Sequence, residues 1–173
     1  MMSASCDIAS SLGIKEEAAM SFREKLSWGV LLTTSAVWSF YFVRLGLKAA
    51  DGLLTQDLVL WTMGVCIGFS LAAHVGFSIL AAVSTSKAER SVVDEREQGV
   101  ALKASYTAFV TMSGTLGALS AYGYSYALRH PDMLGPDPLA PALLLAANGF
   151  IFALALSEVV RHATQITLLR RVG

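Results

Sequence analysis

Residues 58–83 read LVLWTMGVCIGFSLAAHVGFSILAAV, and this stretch decides the fold. It contains no Asp, Glu, Lys or Arg, and its only ionisable side chains are Cys66 and His74. A charge-free apolar run longer than about 18 residues is a candidate membrane span. At ~1.5 Å per residue this one reaches about 39 Å. The hydrocarbon layer is about 30 Å thick, so the helix should tilt or project beyond it.

Three further runs flank it, at about 26–47, 104–128 and 139–160. Short charged segments separate them. Charged residues make up 15% of the chain, where a soluble domain carries about 25%, and the deficit is concentrated in these runs. They are continuous rather than alternating, which excludes a β-barrel built from ten-residue strands. The expected fold is all-α, a four-helix transmembrane bundle over residues 22–173. Residues 1–21 form a polar leader, expected to be mobile, with no apolar core of the kind a secretory signal needs. Met20 is an alternative start that would leave MSFREKLSW as a short tail.

The connectors differ in character. Asp51–Asp57 is short and carries Gly52. Residues 84–103 are charged. Arg129–Pro141 holds all four prolines, so a rigid non-helical connector is expected there. Lys and Arg are unevenly shared. Lys15, Arg23, Lys25, Lys87, Arg90, Arg96, Lys103, Arg161, Arg170 and Arg171 fall on one side of a four-span topology. Arg44, Lys48 and Arg129 fall on the other. The positive-inside rule then places both termini and the middle loop in the cytoplasm. In the first span Trp28, Trp38, Tyr41 and Phe42 supply aromatics, some suited to the headgroup level, and Arg44 and Lys48 can snorkel outward.

Small residues recur every fourth position in two spans. Gly64, Gly68, Ala72 and Gly76 line one face of the second, and Ser113, Gly117 and Ala121 one face of the third. Such stripes let backbones approach closely, so the two are expected to face neighbouring helices, foremost each other.

Several polar residues could carry chemistry. Ser91 and Asp94 have the spacing of a capping box. Asp94 and Glu97 share a face leading into the third span and could hold a cation, a proton or a regulatory ligand. The plainer reading is helix initiation with ion pairs to Arg23, Lys25 or Arg161. Glu158, Arg161, His162 and Gln165 form one polar stripe at i, i+3, i+4 and i+7. A carboxylate next to an apolar span is a functional candidate. An interfacial Glu158–Arg161 pair ending the span is the plainer alternative. His74 lies deep in the second span, and Asn148 of the fourth is its expected hydrogen-bond partner. A bis-histidine haem lacks a second histidine at that depth, because His130 and His162 fall near the edges. No cofactor or metal is expected. There is no phosphate-binding glycine loop, no H-E-x-x-H, no G-x-S-x-G and no C-x-x-C. The zero net charge gives no field for nucleic acid. Cys6 and Cys66 belong to different phases and should not pair.

The FREKLSW entry, the DERE segment before the third span and the closing NGFIFALALSEVVRHATQITLLRR resemble a family of small bacterial four-helix inner-membrane proteins of uncharacterised function. The residues carrying the resemblance are Asp94, Glu95, Arg96, Asn148, Glu158, Arg161, Arg170 and Arg171, over roughly residues 20–173. The leader and the proline-containing loop depart from the compact pattern. The resemblance implies a multi-pass inner-membrane location and no activity. The expected role is a non-catalytic accessory, scaffold or sensor component. It would meet the lipid bilayer, possible further copies of itself, and a membrane or cytoplasmic protein at residues 84–103 through Glu89, Arg90, Asp94, Glu95 and Arg96. The alternatives are a small transporter or channel using Glu158 or His74, and a lipid-directed enzyme in which Asp94, Glu97, Glu158 and His162 converge.

Overall fold

The computed structural model describes residues 21–85, 95–129 and 139–172. The leader with Cys6, the Ser91–Asp94 capping box with Glu89 and Arg90, and the proline segment around His130 lie outside the described residues. All described secondary structure is helical: α1 (Phe22–Ala50), α2 (Gln56–Val83), α3 (Glu95–Arg129) and α4 (Leu139–Val172).

The ends of α1 and α2 are set by local chemistry. Ser21 caps α1, its hydroxyl accepting from the Glu24 amide at 3.2 Å. Thr55 caps α2 in the same way, accepting from Leu58 N–H at 3.3 Å. Such caps satisfy amides that have no partner inside the helix. At the end of α1 the Gly52 amide donates to Ala49 O (3.1 Å) and the Leu53 amide to Lys48 O (2.9 Å). This paired return needs a left-handed residue, and Gly52 supplies it with φ 69°.

The other two helices outrun the expected spans. α3 opens at Glu95, well before Ala104, because its first turns are anchored: Val100 is buried and Glu97 pairs with Arg23 at 3.1 Å. α4 runs on to Val172 instead of ending near Val160. The added stretch holds no Gly or Pro to break the helix, and it buries His162, Gln165 and Ile166. The expected connector Arg129–Pro141 is shortened at both ends. Arg129 closes α3 and Pro141 lies in the first turn of α4, where a missing amide proton costs no helix bond.

The packed pairs are α2 on α1, α1 on α4, and α4 on α3. The helices therefore form an open series α2–α1–α4–α3, with α2 and α3 at its two ends. The buried centre lies in α1, where Val37 and a fully enclosed Tyr41 meet Cys66 of α2. An edge-to-face chain of rings runs Trp38–Tyr41–Phe42–Phe152 and ties α1 to α4.

Large apolar side chains cover the outside, Trp61 at 72% exposure and Leu102 at 73% among them. A water-soluble monomer rarely shows apolar patches on this scale. α1, α2 and residues 142–171 of α4 are long and apolar enough to cross a membrane. In α3 no charged residue lies between Lys103 and Arg129, but frequent Ser, Thr, Gly and Tyr dilute its apolar character.

The two small-residue stripes do not meet. A methyl group at Gly64, Gly68, Gly76 or Gly117 would find nothing within 4 Å. The reason lies on the opposite face of α2. Thr62, Cys66 and Ser70 are buried and His74 is half-buried on a polar stripe. Set two residues out of phase, this stripe is turned by about 200° from the glycines. Burying the polar stripe on α1 sends the glycines outward. Among the described residues the one close glycine approach is elsewhere: a Cβ on Gly29 would lie 2.8 Å from the Phe77 ring.

Candidate functional site

Side-chain contacts fix the register of neighbouring helices. Glu24 meets Arg170 at 2.8 Å, Phe42 meets Phe152, and Tyr41 meets Asn148. α1 and α4 thus run antiparallel, nearly residue for residue. Gly29 against Phe77 and Tyr41 against Cys66 fix α2 on α1. Leu119 against Gly149 fixes α3 on α4.

One end carries a layer of charge. Arg23, Glu24, Lys25, Glu97, Arg170 and Arg171 share this level, where Glu97 is held by Arg23 and Glu24 by Arg170. The Arg170 guanidinium also lies over the Trp28 ring at 5.6 Å. Glu97, expected as a possible ligand-binding carboxylate, is thus half of an ion pair; Asp94 is outside the described residues. The opposite charge layer is formed by Lys48, Asp51 and Asp57 around the α1–α2 turn.

Between these layers lies the feature that interfacial placement missed. In register, Glu158 stands level with Ala36, and Arg161 and His162 with Thr33 and Leu32. Glu158 is about 18 Å along α4 from Arg170 and about 18 Å from the Lys48 level, at ~1.5 Å per residue. Glu158 therefore lies midway between the two charge layers rather than beside one of them. The displacement follows from the length of α4: its true end is Arg170–Arg171, not Arg161. Arg161 Nη1 reaches both carboxylate oxygens of Glu158, at 3.3 and 3.4 Å. His162 Nε2 lies 3.4 Å from Glu158 Oε2, and His162 Nδ1 is buried without a hydrogen-bond partner. The side chains of Glu158 and Arg161 are 43% and 42% exposed. Glu97 and Glu158 are separated by about 20 Å along the bundle axis, so these two carboxylates do not converge.

His74 does not bind Asn148. The Asn148 Oδ1 accepts from Tyr41 OH at 2.6 Å and its Nδ2 donates to Leu144 O at 2.8 Å. His74 belongs to α2, which does not pack along α4, and its Nε2 is buried without a partner. His74 and His162 are level with each other, contrary to the expected difference in depth, on helices flanking α1. Tyr41, one of the four aromatics noted in the first span, is the enclosed donor that links α1 to α4.

No protein family, curated protein or solved structure matches the chain. The arrangement must therefore be read on its own chemistry. Sequence reasoning missed the Thr62–Cys66–Ser70–His74 face. Its signal was present as a polar residue at every fourth position in an otherwise apolar helix. Thr62 Oγ1 and Ser70 Oγ on that face also lack partners. Cys66 is a free, buried thiol. Among the described residues, no group of three or more His, Cys, Asp and Glu is placed to hold a metal.

Proposed function

We propose that this is a four-span protein of a bacterial inner membrane, with both termini cytoplasmic, acting as a non-catalytic accessory, scaffold or sensor component of a larger membrane assembly. The observation that carries the reading is the open series of helices. α2 and α3 each pack on one neighbour and leave apolar, small-residue faces uncovered. Helices in lipid associate through such faces. The ion pairs of Glu24 and Glu97 support the same view, since those carboxylates serve to hold helix ends together.

Pairing supports a reading of four spans rather than three. α3 packs along α4 as its antiparallel partner, and its charge-free stretch is long enough to accompany α4 across. With Arg161 at half depth, nine Lys and Arg residues remain on the cytoplasmic side against three opposite, and the positive-inside rule gives the same orientation.

Mild-detergent extraction with a C-terminal tag tests the role. The expected result is a stoichiometric protein partner or further copies, lost on Gly68→Leu. A chain that runs as a lone monomer and retains its cellular effect would overturn it. A second reading, a small proton-coupled transporter, is favoured by the half-depth position of Glu158. Vesicles loaded with a pH-sensitive dye would then show flux that Glu158→Gln abolishes.

A further inference from the structure

We propose that the groove between α1 and α4, with Trp28, Arg170 and Arg171 at its mouth, holds one anionic phospholipid, the phosphate on the two guanidiniums and an acyl chain along the groove. The proposal rests on the membrane reading above and goes beyond the accessory role.

The groove has a volume of about 440 Å³, within the range of about 300–1,000 Å³ usual for small-molecule sites. Its walls are Trp28 and Leu31 of α1 and Ala163, Ile166 and Thr167 of α4. The Thr167 hydroxyl is taken up by its own helix, donating to Ala163 O at 2.8 Å. The walls therefore present mainly hydrocarbon. Spacing i, i+3, i+4, i+7 and i+8 from Ala163 brings the α4 wall and both arginines to one side of the helix. From Ala163 to Arg171 the groove runs about 12 Å at ~1.5 Å per residue. Half the hydrocarbon layer is about 15 Å thick. An apolar groove of one leaflet's depth thus opens into the layer of charge.

The mouth is short of negative charge. Glu24 is paired with Arg170 at 2.8 Å and Glu97 with Arg23 at 3.1 Å. Lys25 and Arg171 of the same layer have no acidic partner among the described residues. No acidic side chain lines the groove. Arg170 is held by its Nε–H on Glu24 and by its seat 5.6 Å from the centre of the Trp28 ring, so its terminal N–H groups are oriented before anything binds. A fixed guanidinium and an unpaired one at the same mouth suit a phosphodiester, whose oxygens accept from planar N–H groups. Basic pockets between membrane helices on the cytoplasmic side take anionic headgroups in this way. A zwitterionic lipid would bring its own ammonium to face Arg171. A free phosphate would leave the apolar walls uncovered.

The full chain, extracted in mild detergent, is titrated with phosphatidylglycerol or phosphatidylcholine and weighed intact by native mass spectrometry. One phosphatidylglycerol is expected to stay bound, about fivefold or more tighter than phosphatidylcholine. Arg171→Gln should remove most of that preference, whereas Lys48→Gln, at the opposite charge layer, should leave it intact. Ala163→Leu keeps every charge and fills the groove, so it should weaken binding. Thr167→Phe does the same from an exposed position if Ala163→Leu does not fold. Binding that is unchanged in the filled groove, whatever Arg171→Gln does, would mean diffuse attraction to the charged layer and would overturn the proposal. Equal retention of the two lipids would overturn it as well. Glycerol phosphate, a phosphate without chains, should not displace the lipid; displacement would mark a free-phosphate site instead. A chain that stays dissolved without detergent would sink the membrane reading itself.

Discussion

Tyr41 shows how one side chain can join two helices far from the Glu24–Arg170 ion pair that ties their ends. Its hydroxyl donates to Asn148 Oδ1 while its ring packs edge-on against Trp38 and Phe42. Tyr41→Phe keeps the ring and removes the bond. Interhelical hydrogen bonds in membranes average about 0.6 kcal/mol and reach about 1.7, and this one is short and enclosed. Tyr41→Phe should therefore destabilise by about 1–2 kcal/mol. A double-mutant cycle with Asn148→Ala in detergent unfolding should give a coupling of about that size, and additive losses would contradict the bond. Gly29 gives a second residue-scale expectation. Gly29→Val must displace Phe77 and should cost about 1–3 kcal/mol. Gly64→Val meets open space and should change single-chain stability by no more than about 0.5 kcal/mol.

At the scale of helices, the sequence made the apolar runs legible because length and absence of charge are local properties. It left their ends and faces illegible because those depend on partners. α4 appeared to end at Glu158 and Arg161, where the first charges occur. Only its register against α1, through Glu24 and Arg170, reveals that those charges lie halfway along the bundle. The same lack of partners misassigned Asn148 to His74 when the two helices do not pack together. In α2 two candidate faces competed, and the polar face defeated the glycine face for burial on α1. The ion pairs at the charged end are partly exposed, and such pairs are worth about 0.2–1 kcal/mol. Glu24→Arg alone should lower the unfolding midpoint, and adding Arg170→Glu should restore most of the loss.

For the whole molecule, the open order α2–α1–α4–α3 shifts the expected effect of stripe substitutions from folding to assembly. Gly68→Leu and Gly117→Leu should leave helicity and single-chain stability unchanged, because their surroundings are empty. They should lower the apparent mass of the detergent-extracted assembly, while Leu71→Ala should not. Chemical cross-linking followed by sizing reads this directly.

α3 and α4 also outreach the α1–α2 turn: in register, Leu128 and Leu143, both exposed, stand at or above the level of Lys48 and Asp51. The molecule is thus taller along one flank than along the other. A bilayer that fits α1 and α2 would leave leucines of the taller flank among headgroups. Lipid must stretch there, or the protein must lean. Stretching gives the surrounding leaflet a gradient of thickness that would orient neighbouring proteins along its slope, whereas leaning leaves the lipid level and inclines α1 and α2 instead.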